Sequence, residues 1–131
     1  MERALIQNLN IHVSKLDCYE DERGILSVIS NIQEKYFQVQ RIFFISEFAE
    51  GSTRGQHGHF NCKQILVCLN GAFVLNIKHN GKDFQIEISK NELVFVPNRI
   101  WIQLLSRKKE TTVAVLCSHD FDKTDYFYEP T

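Results

Sequence analysis

The stretch Gly51-Ser-Thr-Arg54-Gly55-Gln-His57-Gly-His59-Phe-Asn-Cys-Lys-Gln64-Ile-Leu-Val-Cys-Leu-Asn-Gly71 decides the fold. Side chains two apart in a strand leave the same face, roughly 6.6 Å from one another, so His57 and His59 project together. From Gln64 to Leu69 every residue except Gln64 is apolar. That pattern predicts a strand buried on both sides, against the lumen of a barrel and against another sheet or subunit. Asn70-Gly71 then closes the segment with a hairpin-turn signal.

Outward from this centre the chain keeps the same grammar. Phe73-Val-Leu-Asn-Ile-Lys alternates, Asn80-Gly81 is a second hairpin signal, and Phe84, Ile86 and Ile88 alternate with Gln85 and Glu87. Strands follow over Asn91 to Pro97, Ile100 to Leu105 and Thr111 to Cys117. Upstream, Ile11 to Leu16 and Ile25 to Ile29 read as strands separated by the turn Asp21-Glu22-Arg23-Gly24. Residues 31–38 read as a loop with one helical turn, Val39 to Ile45 as a strand, and Glu47 to Gln56 as a loop. Phe121 to Tyr128 is expected to pack over one end. Short strands punctuated by turns predict an all-β barrel or sandwich, a single domain over 1–131.

Fifteen basic and sixteen acidic residues leave a net charge of −1, which argues against a general nucleic-acid footprint or a basic membrane-binding surface. Nothing approaches a membrane span, and the opening Met1 to Asn10 lacks the apolar core of a signal peptide, so a cytoplasmic location is expected. Cys18, Cys62, Cys68 and Cys117 have no Cys-x-x-Cys spacing and read as reduced, mostly buried thiols.

The spacing of Gly51, His57, His59, Gln64 and Gly71 resembles the first motif of the cupins, small jelly-roll β-barrels, with Gln64 in place of the usual Glu. In metal cupins that Glu is a ligand, and a second motif supplies a further His. The matching stretch here, Val96-Pro97-Asn98-Arg99-Ile100-Trp101-Ile102, places Ile102 at that position. Two imidazoles without further ligands suit proton transfer better than metal binding, so no metal and no other cofactor is expected.

Asp21-Glu-Arg23-Gly24, Arg41-Ile-Phe-Phe-Ile, Arg54-Gly-Gln-His57-Gly-His59, Gln64-Ile-Leu-Val-Cys-Leu-Asn-Gly71 and Asp122-Lys-Thr-Asp125-Tyr126 together resemble a narrower family, the TDP-4-keto-6-deoxyglucose 3,4-ketoisomerases. The resemblance implies a metal-free isomerase that moves a ketone from carbon 4 to carbon 3 of a TDP-linked 6-deoxyhexose. It also implies a homodimer with an exchanged N-terminal strand, and a product aminated to a 3-amino-3,6-dideoxy sugar for surface glycans such as lipopolysaccharide O-antigen. His57 and His59 align with the paired histidines credited with the proton transfers. Phe43-Phe44 and Ile102 stand where relatives often carry Tyr and His.

The chemistry needs one base and one acid near neutral pKa, which two imidazoles supply. Arg23, Arg41 and Arg54 are candidates for the TDP phosphates, because guanidinium forks match phosphate oxygens. Gln64 could stabilise an enediolate oxygen, and Trp101, Phe43 and Tyr126 offer flat surfaces for thymine and sugar. Each has a plainer alternative: surface or dimer ion pairs for the arginines, core packing for Trp101 and Phe43, and satisfaction of a buried backbone group for Gln64. His12, His79 and His119 carry no pattern. Competing functions are a 3,5-epimerase, which usually has a longer chain and a separated His-Asp dyad, a metal-dependent oxygenase, and a non-catalytic sugar-binding cupin.

Overall fold

The computed structural model describes residues 6–131. Its strands are β1 His12–Lys15, β2 Asp17–Asp21, β3 Gly24–Val28, β4 Arg41–Phe48, β5 Thr53–His59, β6 Gln64–Asn70, β7 Ala72–His79, β8 Lys82–Ser89, β9 Glu92–Val96, β10 Trp101–Ser106, β11 Thr111–Cys117 and β12 Tyr126–Phe127. The single turn of helix predicted after β3 is α1, Ile32–Lys35, and a 3₁₀ turn Lys123–Asp125 precedes β12.

Two five-stranded sheets carry the core, one in the order β1-β9-β6-β11-β4 and the other β12-β5-β10-β7-β8. From β4 to β11 the eight strands are dealt between them in the order of a jelly roll. The sheets are not hydrogen-bonded into a closed cylinder, so the expected barrel is an open two-sheet structure. Between them, Phe73, Leu75 and Ile77 of β7 meet Ile102 and Leu104 of β10 and Leu66, Val113 and Val115 of the other sheet. Phe73, Leu75 and Ile77 are fully buried, each contributing roughly 1.5–3 kcal/mol of hydrophobic stabilisation.

The two Asn-Gly signals separate in the structure. Asn80-Gly81 joins β7 to β8 with both residues at positive φ, as a tight hairpin requires. Asn70-Gly71 does not make a hairpin, because β6 and β7 lie in different sheets and the turn is a corner between them. Gly71 is needed there twice over: φ is +77°, and a Cβ would lie 2.6 Å from Thr111 Oγ1.

β6 is buried on both faces as its composition demands. Leu66 and Cys68 face the core, while Ile65 and Val67 join Leu16, Phe37, Leu93 and Phe95 in a second cluster flanked by Ile32, Tyr36 and Val39. Within this chain the outer cover is the α1 segment together with Leu16. β1 pairs with β9 of the same chain. β2 and β3 form a separate two-stranded hairpin, where the sequence suggested a strand only after the turn, and Tyr19, Ile25 and Leu26 are exposed on it. Among the described residues no helix is long and apolar enough to cross a membrane. The first half of the opening segment read for a signal peptide lies outside the described residues.

Candidate active site

β5 brings the site together through an irregularity. His57 pairs with Ile102 of β10 and Gly55 with the next residue, Gln103, so Gln56 is an extra residue in the ladder. Gly55 and Gln56 both have positive φ (94° and 59°), which bends the strand at this β-bulge. The consequence is one of parity. In a regular strand Arg54 and His57 would face opposite sides; with Gln56 bulged out, they pair with Leu104 and Ile102, which share the inner face. Both then line the same cavity.

That cavity is about 440 Å³ and is lined by Arg41, Arg54, His57, Gln64 and Tyr126 over a floor that includes Leu66 and Val115. Arg41 opens β4, its guanidinium 4.8 Å from the Phe43 ring centroid and 5.4 Å from that of Phe121, which holds the charge at the rim. Buried Gln64 donates its amide to Cys117 Sγ at 3.6 Å.

His59 lies beside His57, with ring centroids 5.1 Å apart and planes nearly perpendicular. Tyr126 packs on both, at 4.7 and 4.4 Å. Because a carbonyl oxygen only accepts, His57 Nδ1–H donates to Gly55 O at 2.9 Å and leaves Nε2 as the basic nitrogen. His59 Nδ1 meets Asp125 Oδ2 at 3.2 Å, and its Nε2 is buried without a protein partner. Burial pushes the His57 pKa below 6.5, against a smaller upward pull from Gly55. Burial also dominates at His59, reinforced by repulsion from His57 and Arg41 and opposed by Asp125, with a net lowering. Both shifts favour the neutral ring at pH 7, and in that form His59 Nδ1–H donates to Asp125 Oδ2.

Three candidates do not line the cavity. His59 is buried directly behind His57 and Tyr126, and two others lie elsewhere. Arg23 sits in the β2–β3 turn, its side chain 84 % exposed and paired with Asp21 at 2.6 Å. Trp101 precedes inward-facing Ile102 and therefore lies on the outer face of β10, where its Nε1–H donates to Tyr128 O at 2.8 Å and Lys78 Nζ lies 5.5 Å from its ring. Asp125 escaped the sequence reading, since nothing local ties it to a histidine 66 residues away. Ile102 stands directly opposite His57, and among the described residues no group of three or more His, Cys, Asp or Glu is placed to hold a metal ion. Cys62, Cys68 and Cys117 are buried and Cys18 is exposed. A hydrogen bond with Cys117 holds the Cys62 thiol down to about 6 and pushes that of Cys117 up.

The strand order and the cavity define a class, the small all-β jelly-roll proteins with imidazoles and arginines gathered at one pocket. The chain belongs within it to the FdtA family, described as WxcM-like, C-terminal, whose model matches residues 9–131. It is 27 % identical over 107 residues to the TDP-4-oxo-6-deoxy-alpha-D-glucose-3,4-oxoisomerase of Aneurinibacillus thermoaerophilus, covering 81 % of this chain and 77 % of that one. The sugar 3,4-ketoisomerase QdtA of Thermoanaerobacterium thermosaccharolyticum, crystallised with TDP, superposes with a TM-score of 0.83 at 26 % identity over 92 % of this chain and 88 % of its own. The 3'-monoepimerase ChmJ of Streptomyces bikiniensis shares the fold at 16 % identity, with a TM-score of 0.78 over 88 % of this chain and 67 % of that one.

Proposed function

We propose that this protein is a metal-independent isomerase that converts TDP-4-keto-6-deoxy-D-glucose into a TDP-3-keto-6-deoxyhexose. The observation that carries the proposal is the pair of adjoining imidazoles, each engaged through Nδ1, with His57 lining a cavity that holds two arginines and His59 packed directly behind it. Moving the ketone transfers one proton from carbon 3 to carbon 4 and another from the carbon 3 hydroxyl to the carbon 4 oxygen. The intermediate is an enediol or enediolate. Two imidazoles match these two transfers, and each positioned group of this kind is typically worth ~10²–10⁴-fold in rate. Arg41 and Arg54 are assigned to the phosphates, Gln64 to an enediolate oxygen, and Tyr126 to the sugar or base.

An isolated hairpin is marginal in water, and the exposed Tyr19, Ile25 and Leu26 favour a homodimer in which β2–β3 docks on a second copy. Arg23, on that hairpin and away from its own cavity, is assigned in that arrangement to the partner's. The 3-ketone supplies an aminotransferase on the route to 3-amino-3,6-dideoxy sugars of surface glycans.

The His59–Asp125 pair removes one argument against a 3,5-epimerase, because this chain has a dyad as well as His-x-His. The relatives at 26–27 % identity, the Aneurinibacillus oxoisomerase and QdtA, favour the ketoisomerase over the epimerase ChmJ at 16 %. Incubation of chelator-treated protein with TDP-4-keto-6-deoxyglucose, followed by carbon NMR, tests the proposal. A new carbonyl at carbon 3 is expected; a sugar that keeps its 4-ketone but is inverted at carbon 3 or carbon 5 would assign an epimerase, and an unchanged sugar with binding intact a non-catalytic protein.

A further inference from the structure

Three donors converge on one buried carboxylate. Asp125 Oδ1 accepts from the Asn61 backbone N–H at 2.8 Å, and Oδ2 from the Cys62 backbone N–H at 3.1 Å and from His59 Nδ1 at 3.2 Å. The residue is 8 % exposed, at the end of the 3₁₀ turn that leads into β12. There Tyr126 pairs across the ladder with His59 itself. Its partners are thus the imidazole and the two backbone groups that follow it by two and three residues.

We infer that Asp125 is a positioning residue: it fixes His59 as the Nδ1–H tautomer, keeps Nε2 free for the proton being moved, and stabilises the imidazolium formed when that proton arrives. Its catalytic consequence rests on the ketoisomerase reading, whereas its hold on the tautomer does not. A purely structural role would require only the two backbone bonds. The carboxylate instead spends the same oxygen on Cys62 and on the ring, which a side chain needed only to close the loop has no reason to do. The charged groups around His59 act in opposite senses: Asp125 favours its protonation, while His57 and Arg41 oppose it.

Asp125→Asn separates the two roles. An amide has one acceptor oxygen for three donors, so its NH₂ must face either the Asn61 N–H or the Cys62 and His59 side. In the second arrangement it donates to His59 Nδ1 and reverses the tautomer. Histidine nitrogen NMR of the wild-type protein at pH 8 should show His59 protonated on Nδ1, and in either arrangement the variant lacks the carboxylate charge that stabilises the imidazolium. kcat should fall by ~10²–10⁴-fold with KM little changed. The acid limb of the kcat profile should move to lower pH, because burial is then unopposed, and Asp125→Glu should restore part of both. Wild-type His59 protonated on Nε2 would overturn the inference. So would an Asp125→Asn protein whose activity falls only with its folded fraction and whose acid limb stays in place. If the variant does not fold, or if the wild-type protein turns over no TDP-keto sugar, the wild-type tautomer alone decides.

Discussion

Replacing Gly58 by Ala would test whether the short C-terminal strand is part of the catalytic apparatus, without touching any group that moves a proton. Gly58 sits between the two histidines and opposite Phe127. An added Cβ would lie 2.3 Å from Phe127 Cζ, 2.7 Å from Cε1 and 2.8 Å from the backbone oxygen of Ile100. Carbon atoms rest about 3.5 Å apart at closest comfortable contact, so the Phe127 ring must retreat by at least about 1.2 Å. The Ile100 carbonyl belongs to the backbone beside β10 and offers no easy relief on the other side. Because β12 is two residues long, the displacement passes to Tyr126, which packs on both imidazoles, and to Asp125.

Overpacking of this kind costs roughly 1–3 kcal/mol, or on the order of 4–12 °C in Tm for a chain of this length. A misplacement of about 1 Å in a reactive constellation costs on the order of 10²-fold in rate. The assay pairs thermal unfolding with turnover of TDP-4-keto-6-deoxyglucose well below Tm. Gly81→Ala is the control, because φ is +75° there with nothing within 4 Å of an added Cβ. Its strain costs about 1–2 kcal/mol in a hairpin outside the cavity and should leave kcat unchanged. If Gly58→Ala kept wild-type kcat while losing as much stability as Gly81→Ala, the assignment of β12 to the active site would be wrong.

Other predictions follow from the same geometry. His59→Asn should keep the fold and TDP binding while lowering turnover by orders of magnitude; near-normal turnover would remove His59 from the mechanism. Arg54→Ala should weaken TDP binding by roughly 10–100-fold in a calorimetric titration, the range for a lost charge-assisted hydrogen bond, and unchanged affinity would return Arg54 to a structural role. Deleting Gln56 should produce a comparable loss, since a regular ladder turns Arg54 to the outer face. Turnover should be level from pH 8 to about 6.5 and fall below it as the rings protonate. Stability should follow the same sign. The folded pKa values of His57 and His59 lie below their unfolded value, so the unfolded chain binds more protons at acid pH. Their contribution is complete above about 6.5 and is lost as pH falls through the folded values. A Tm that rose on acidification across that window would contradict the burial of the pair.

The sequence made strands and turns legible because apolar alternation and Asn-Gly chemistry are local. It also placed His57 and His59 on one face, since no irregularity lies between them. What it left hidden depended on partners. Asn70-Gly71 and Asn80-Gly81 have the same backbone preference, yet only the second joins strands that pair, and that choice is made by β10 and β11 far along the chain. Trp101 was drawn to the site by its chemistry and excluded by its parity against Ile102. Arg54 was named for its charge, but its route into the cavity is the bulge at Gln56, for which Gly55 is the local signal. Asp125 carried no mark beyond its place in Asp122-Lys-Thr-Asp125-Tyr126, and Gly58 none beyond lying between two histidines.

The central claim is that this site moves a proton between carbons 3 and 4. The most direct test is proton NMR of TDP-4-keto-6-deoxyglucose incubated with the chelator-treated protein in deuterium oxide. The account predicts loss of the carbon 3 hydrogen, growth of a 3-keto product with a hydrogen or deuterium newly placed on carbon 4, and retention of the carbon 5 hydrogen. Exchange at carbons 3 and 5 without a 3-ketone, or no exchange by a protein that binds the sugar, would contradict it.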